Sequence, residues 1–458
     1  MDSRAKLGLW TGVGIVVANM IGSGVLTTPG FMAMDLAPSH ILLAWVIGGV
    51  VALSGARAYA AVAQAIPRSG GEYRYLSEIW HPALGYLAGW TSLLIGFSQP
   101  VALDAIAVGA FADTLHPGLD VRTVATVVIL AATALHAFDL RASKTGQNVL
   151  VAVKFALVLG FVVVGLAAGS NHFPTWRPEA AAHGLPVGPF FGSLVFIAFC
   201  YSGWNAAIYA SGEFAAPRRD VPRAMLIGCA VVMVIYLLVN WVFVTNLTPS
   251  DYGQWIGGDK DRITLGHMLM QKLIGATGAK VMSVFMIVAL LSATSAMTMI
   301  GPRVYAAMAR DGFLPRVLAG KDGKPPLGAL LLQGAVALFC VWTQDFKGLI
   351  GTVGAVLTLM AALTALGVFR LQFDRRFADV RPGPAPLAAA AIFVIAAGWM
   401  LYAGATNRFL KTTTLPGGKV VASWLVWLVF VVLVTGVYVV WTRVAGKGSP
   451  AGPAGRRD

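Results

Sequence analysis

Small residues interrupt two apolar stretches that are each long enough to cross a membrane. The first stretch carries Gly22-Ser-Gly24 and the second carries Ser202-Gly203. Glycine weakens a helix, and a break inside a bilayer is tolerated only where protein or a cavity satisfies the freed backbone groups. Freed N–H groups at the start of a half-helix suit a carboxylate, and freed carbonyls suit an ammonium. The alternative interpretation is ordinary packing of small residues between membrane helices.

The composition identifies the kind of element that must hold these residues. The chain has 458 residues, of which 57% are hydrophobic and 12% are charged, and its mean hydropathy is +0.74. A soluble domain carries roughly 25% charged residues. Apolar runs of about 20 residues recur along the chain, and each can cross a hydrocarbon core of about 30 Å. We therefore predict an all-α polytopic membrane protein rather than a transmembrane barrel, whose short alternating segments are absent from the sequence.

Gly/Pro-containing polar loops separate twelve predicted spans. They cover residues 8–34, 40–65, 83–112, 121–138, 145–168, 188–213, 223–246, 273–302, 327–343, 348–369, 387–405 and 420–442. The two breaks fall near the middle of spans 1 and 6, each of which opens a group of five spans. Because five crossings reverse direction, the groups 1–168 and 188–369 are predicted inverted repeats, followed by two spans in 387–442 and a tail at 443–458. Paired interrupted segments in two such halves indicate a transporter binding site.

The basic residues predict the orientation in the membrane. The net charge is +14, and Lys and Arg are concentrated in the loops that share a side with the N-terminus. The protein is expected in the cell membrane, either an inner or a plasma membrane. By the positive-inside rule, both of its termini are expected on the cytoplasmic side. This sorting explains the basic character without a nucleic-acid partner. The lipid bilayer is the expected partner, and no obligatory protein partner is predicted.

Four stretches give the chain a family resemblance. They are VVANMIGSGVLTTPG (16–30), AIPRSGGEYRYL (65–76), FCYSGWNAAIYASGEFAAPRRDVPRA (199–224) and GPRVYAAMARDGFLP (301–315). In this order they resemble the amino acid–polyamine–organocation superfamily. The sequence of span 6 is most similar to the L-type amino acid transporter branch of that superfamily. The resemblance implies five-plus-five inverted repeats with broken helices 1 and 6, two trailing helices, and alternating access for amino acids.

An amino acid has both charged groups that the two breaks suit. The backbone amides of Gly22, Ser23 and Gly24 are predicted to bind the carboxylate, because they begin a half-helix. The ammonium is assigned to the carbonyls of Ile21, Phe199 and Cys200, together with Ser202. Gly203 lets the ligand approach the backbone closely.

Two side chains beside the second break are expected to shape the site. Trp204 and Asn205 would line the side-chain pocket and steady the unwound segment. Phe199 resembles the aromatic gate that the family places over its substrate. The pocket stretch near Asn205 contains no acidic residue in the sequence, which favours neutral substrates.

Lys154 lies near the middle of span 5, too deep to reach the interface easily. A lysine there costs about 2.5–3.5 kcal/mol on insertion scales, so it should face protein and have a partner. The resemblance implies a contact with the unwound part of span 1, in the role that sodium plays in related sodium-driven folds. The alternatives are a carrier of a coupling proton or a purely structural lysine.

Three further charged residues remain open. Asp104 stands in span 3 where the family usually has small apolar residues, and it either lines the outer vestibule or is protonated. Arg57 is expected to extend toward the cytoplasm rather than pair with Asp104, because residue counting separates them by about 15 Å along the membrane normal. Glu213 is predicted to end span 6 and meet Arg218 and Arg219, in a gating or structural role.

The main functional hypothesis is sodium-independent transport of neutral L-amino acids by exchange or proton symport. The alternatives are a cationic amino acid or polyamine exchanger and a membrane sensor that binds amino acids without transport. No phosphate-binding loop, nucleophile constellation or His/Cys metal spacing occurs in the sequence, so neither an enzyme nor a cofactor or metal is predicted.

Overall fold

The computed structural model describes residues 7–22, 24–138, 140–248, 250–251, 264–320, 326–344, 346–406, 412–414, 420–422 and 431–440. The predicted tail at 443–458 and Ser23 lie outside these residues. Across the described part the chain is almost entirely helical, as predicted. The long helices are apolar along most of their length and carry polar or glycine-rich loops at their ends, as the composition requires.

The helices up to the second break are α1 (Leu9–Met20), α2 (Gly24–Met32), α3 (Pro38–Ala65), α4 (Gly71–Ile79), α5 (Pro82–Thr91), α6 (Ser98–Leu115), α7 (Val121–Phe138), α8 (Leu140–Ala168) and α9 (Val187–Tyr201). A π-helical turn, Ser92–Phe97, joins α5 to α6 into one span. A 3₁₀ segment, Ala206–Glu213, follows α9.

The second half continues with α10 (Pro217–Asn246), α11 (Leu265–Arg310), α12 (Leu327–Thr343), α13 (Phe346–Phe373) and α14 (Pro384–Thr406), and α15 (Val431–Val440) is the last described helix. Short 3₁₀ turns cover Glu179–Ala181, Arg316–Leu318 and Arg375–Val380. Two three-residue strands, β1 (Thr412–Thr414) and β2 (Val420–Ala422), pair antiparallel.

Nine helical segments in the described residues are long and apolar enough to cross a membrane. Three shorter apolar helices, Val121–Ala137, Leu327–Thr343 and Val431–Val440, match the positions of further predicted spans. The polytopic helical class is therefore confirmed, and the total of twelve crossings stays a prediction.

The predicted start of span 12 is wrong. Residues 420–422 form β2, in which Val420 pairs with Thr414 and Ala422 pairs with Thr412. Valine and threonine favour the pleated arrangement of a strand, and an apolar run alone does not distinguish a strand from the beginning of a helix.

Both predicted helix breaks are present. Helix α1 stops at Met20, Ile21 adopts an extended conformation, and α2 begins at Gly24. Helix α9 stops at Tyr201, after which Ser202 is extended, with a ψ of 149°. Gly203 has a φ of +101°, a conformation that residues with a Cβ avoid. The chain therefore leaves the helix at both glycine-serine sites.

The core packs around these breaks. Trp45 of α3 is fully buried between Tyr201 and Tyr236, with ring centroids 5.9 and 5.4 Å away. Such tilted and edge-on aromatic pairs add to the energy of apolar burial. Helix α10, which carries Tyr236, packs along both α3 and α1. Helices α3 and α10 therefore pack against the interrupted segments.

Candidate functional site

The two breaks lie against each other. A Cβ added to Gly203 would lie 2.8 Å from the carbonyl oxygen of Asn19, so the backbones approach as closely as glycine allows. On the other side, a Cβ added to Gly24 would lie 2.7 Å from the sulfur of Cys200. The Cys200 sulfur is also 3.1 Å from the hydroxyl oxygen of Thr28 in α2. Residues about 180 positions apart in the sequence therefore form one site.

Tyr236 connects the ends of the two interrupted helices. Its hydroxyl oxygen lies 2.6 Å from the carbonyl oxygen of Met20 and 2.9 Å from that of Cys200. A phenol has one proton to donate, so the two carbonyls share it. The side chain is fully buried. Sequence reasoning missed Tyr236; a tyrosine near the middle of an apolar span was the one available signal, because its hydroxyl needs a partner there.

Lys154 reaches the end of α1, as the resemblance implied. Its ammonium donates to the carbonyl oxygen of Ala18 at 3.0 Å and to that of Ile21. The side chain has no exposed surface. A positive charge thus lies at the C-terminal end of a half-helix, where the dipole and the freed carbonyls favour it.

The carbonyls assigned to an ammonium already accept protein hydrogen bonds. Ile21 accepts from Lys154, Cys200 accepts from Tyr236, and Phe199 accepts from the amide of Ser202 at 2.9 Å. Each carbonyl has two lone pairs, so one remains for a ligand. The protein thus fixes the directions of the carbonyls before a ligand arrives.

Asp104 lies beside Gly22 at the first break. Its two carboxylate oxygens would be 3.5 and 3.7 Å from a Cβ on Gly22, and the residue is only 5% exposed. Its charge interacts with that of Lys154. Whether Asp104 lines the outer vestibule or is protonated stays a prediction, and its position beside Gly22 was not expected from the sequence. An acid and a base therefore flank the break.

A cavity of about 80 Å³ opens beside the second break. Ser202, Gly203, Trp204 and Asn205 line it, together with Asn19 of α1. The other described residues of the predicted site, Ile21, Gly22, Gly24, Phe199 and Cys200, do not line this cavity. The structure therefore brings all of the described candidates together at the breaks but exposes only the second break to the open space.

Phe199 packs against the first break. One of its ring carbons would lie 3.2 Å from a Cβ on Gly24, and the residue is 9% exposed. Its ring therefore lies between α9 and the start of α2. This position is compatible with a gate, and the gating role stays a prediction.

Glu72 was missed and corrects the expectation that no acid lies near Asn205. It belongs to α4, and its Oε1 accepts hydrogen bonds from Tyr59 at 2.6 Å and from Asn205 at 3.2 Å. Burial raises the pKa of Glu72 to about 7, although these two hydrogen bonds oppose the shift. The signal available in the sequence was the pair Gly70-Gly71, because adjacent glycines permit the φ angles of +124° and +58° found just before Glu72.

Glu213 has a different partner from the one predicted. Its carboxylate accepts from the guanidinium of Arg303 in α11, at 2.7 and 3.4 Å, whereas Arg219 pairs with Asp220 at 2.8 Å. Because Glu213 ends the 3₁₀ segment after the second break, this ion pair ties that segment to α11. The paired arginine lies 90 positions along the sequence, which no local pattern reveals.

No group of three His, Cys, Asp or Glu side chains that could hold a metal ion occurs in the part of the chain that the structure describes. The three cysteines, Cys200, Cys229 and Cys340, are buried and form no disulfide. The site therefore offers backbone groups, hydroxyls, amides and a few charged side chains.

Comparison with known proteins adds independent information. The family profile described as amino acid permease matches residues 7–435. The chain is 26% identical over 417 residues to b(0,+)-type amino acid transporter 1 of Mus musculus, covering 87% of this chain and 82% of that protein. It is also 26% identical over 385 residues to large neutral amino acids transporter small subunit 2 of Homo sapiens, covering 81% of this chain and 70% of the relative.

Proposed function

The chain belongs to the amino acid permease family, and we propose that it transports L-amino acids without sodium, with neutral amino acids as its main substrates. The observation that carries this proposal is the contact between the two broken helices at Gly203 and Asn19. Two half-helix ends meeting inside a membrane protein provide donors and acceptors in one place. Those are the groups that the charged ends of an amino acid need in order to leave water.

The substrate carboxylate would bind at the amide groups of Gly22, Ser23 and Gly24. Gly24 begins α2, and the positive dipole end of this helix favours an anion. The ammonium would take the remaining lone pairs on the carbonyls of Ile21 and Cys200. Ser202, Gly203, Trp204 and Asn205 would surround the rest of the ligand, since all four line the cavity.

Lys154 supports sodium independence. Its ammonium already lies on the carbonyls of Ala18 and Ile21, where a metal cation would otherwise neutralise the end of α1. A second cation at the same oxygens would be repelled. We therefore assign Lys154 the role of a latch that keeps the broken segment ordered.

Asp104 is the residue that could couple transport to a proton. Its charge interacts with that of Lys154 beside Gly22, so a change in its protonation would alter the field where the substrate carboxylate binds. Proton symport through Asp104 and Lys154 and simple exchange are the two forms of transport that the site can support.

Alternating access requires that the two sides of the site open in turn. Phe199, packed on the start of α2, is the proposed aromatic gate. Glu213 and Arg303 would form the second gate, because their ion pair holds the segment that follows the break. The halves 1–168 and 188–369 would then move relative to each other as inverted repeats. Both termini would lie on the cytoplasmic side of the cell membrane. One relative is named as a small subunit; for this chain we predict no obligatory protein partner.

Counterflow in proteoliposomes tests the proposal. Vesicles loaded with unlabelled leucine should accumulate labelled leucine transiently, and replacing sodium by choline should leave the rate within about twofold, because Lys154 supplies the positive charge. Empty vesicles and vesicles loaded with a sugar are the controls. A rate that falls at least tenfold without sodium would contradict the latch assignment, and a folded protein that exchanges no amino acid would contradict transport.

A further inference from the structure

The cavity beside the second break carries a single formal charge. Glu72 is the only acidic side chain among its described lining residues, and none of them is Lys, Arg or His. The remaining walls are largely apolar or aromatic and come from several spans, among them α3, α9, α13 and α14. The apolar lining residues include Val51, Ala52, Leu194, Ala198 and Leu357. An ionised carboxylate in such surroundings attracts a cation strongly, because little water screens it.

One carboxylate oxygen of Glu72 accepts hydrogen bonds from the protein, and the other is available to a ligand. Tyr59 and Asn205 both donate to Oε1. Oε2 accepts no hydrogen bond from the described residues. The residue is 3% exposed, and no described ion pair includes it. A buried carboxylate without a cation is costly, so it is either neutral or matched by a charge that arrives from outside.

The surroundings of Glu72 also suit a cation. The rings of Trp204 and Tyr59 lie edge-on at 4.7 Å, and those of Phe97 and Tyr209 lie edge-on at 5.2 Å. Trp204, Phe97 and Tyr209 line the same cavity as Glu72. Aromatic faces attract ammonium and guanidinium groups, and the attraction grows when water is excluded.

The cavity extends from this acidic end to the second break, where Ser202 and Gly203 line it. Asn205 bonds Glu72 and lies three residues after Ser202, so the acid is adjacent to the break itself. A ligand held by its α-ammonium and carboxylate at the breaks could extend methylene groups along the apolar walls. Its far end would then meet Oε2 of Glu72.

We propose that Glu72 binds the terminal cation of an elongated amino acid side chain, of the lysine or ornithine type. This inference rests on the proposed transport of amino acids and widens its substrate class beyond neutral side chains. Leucine and lysine would share the backbone site, whereas the terminal ammonium of lysine alone would use the carboxylate.

The protonation of Glu72 gives the inference a pH signature. The titratable and polar groups that face it are Tyr59 from α3, Tyr75 from its own helix, and Tyr209 and Asn205 from the segment after the break. All of them are neutral near pH 7. Since the pKa of Glu72 is about 7, its negative charge is present above that pH and lost below it. Lysine binding should therefore strengthen as pH rises from about 6 to about 8, and leucine binding should not.

The test measures how strongly lysine inhibits leucine counterflow in wild-type protein and in Glu72→Gln. The glutamine keeps an oxygen for Tyr59 and Asn205 but has no charge. We expect the lysine concentration that halves leucine counterflow to rise about tenfold or more, because a charge-assisted hydrogen bond is lost. The competition by unlabelled leucine should stay within about twofold. Glu78→Gln is the matched control, since Glu78 lies on the same helix, pairs with Arg74 and does not line the cavity.

Three outcomes would overturn the inference while leaving amino acid transport intact. They are wild-type protein that exchanges leucine but ignores lysine, Glu72→Gln that is inhibited by lysine as strongly as wild type, and a pH dependence that is equal for leucine and lysine. The last result would assign Glu72 to proton coupling.

A binding measurement tests the inference even if the protein binds amino acids without transporting them. Lysine should raise the thermal unfolding temperature of purified wild-type protein and of Glu78→Gln, and it should fail to do so for Glu72→Gln. Equal stabilisation of wild type and Glu72→Gln by lysine would contradict the inference. Absence of leucine exchange together with lysine stabilisation would contradict the transport proposal alone.

Discussion

Replacing Lys154 by alanine is expected to reduce leucine counterflow by about 10- to 100-fold. The substitution removes the ammonium from the carbonyls of Ala18 and Ile21. Each buried acceptor left without a partner costs about 1–3 kcal/mol, which is enough to change the conformation of the broken segment. It also leaves the charge of Asp104 without the compensation that Lys154 supplies. Initial rates in proteoliposomes of equal protein content measure the effect.

Two variants separate the charge from its side effects. Lys154→Met keeps most of the side-chain volume without the ammonium, and it should be as impaired as Lys154→Ala. Lys280→Ala removes an exposed lysine from α11 and should transport normally. Size-exclusion profiles and helical circular dichroism should match wild type for all three. Wild-type rates in Lys154→Met would refute the latch.

Gly203→Ala is expected to have the second large effect. The φ of +101° costs a residue with a Cβ roughly 1–2 kcal/mol. In addition, the new methyl would lie 2.8 Å from the carbonyl oxygen and 2.9 Å from the carbonyl carbon of Asn19, so backbone must move. The two breaks would separate, and we expect leucine counterflow to fall at least tenfold, from strain and misalignment together.

Gly14→Ala is the matched control. Gly14 lies in α1, the same half-helix as Asn19, and a Cβ there would meet nothing within 4 Å. Alanine also favours a helix over glycine, so this variant should keep or slightly gain stability. Transport by Gly203→Ala at the rate of Gly14→Ala would show that the contact between the breaks is unimportant.

The sequence was sufficient to predict the broken helices and Lys154. Glycine-serine pairs in the middle of apolar runs have few uses other than a break or close packing, and a lysine at mid-membrane must find a partner. These signals are local and strong. The contact of Gly203 with Asn19 shows that both breaks belong to one site.

The residues that sequence reasoning missed act over long sequence distances. Tyr236 joins Met20 to Cys200, and Glu72 meets Asn205, which lies 133 positions away. No periodicity or spacing encodes such a meeting, because it arises only when helices pack. Glu72 was also missed because it lies in the polar stretch between two predicted spans, where an acid is ordinary.

The errors in position have a related cause. Asp104 was placed by counting residues from the middle of its span, and this count gave no sign that it lies beside Gly22. Glu213 was paired with the nearest arginines in sequence, whereas Arg303 is its partner in space.

The most direct test of the central claim asks whether the site binds the two charged ends of an amino acid. Leucine methyl ester lacks the carboxylate and N-acetyl-leucine lacks the ammonium, while both keep the side chain. We expect unlabelled L-leucine to compete with labelled leucine counterflow and both derivatives to compete at least about tenfold more weakly, because each leaves buried backbone groups unpaired. Competition by either derivative as strong as that by leucine would contradict a site built from the two helix breaks.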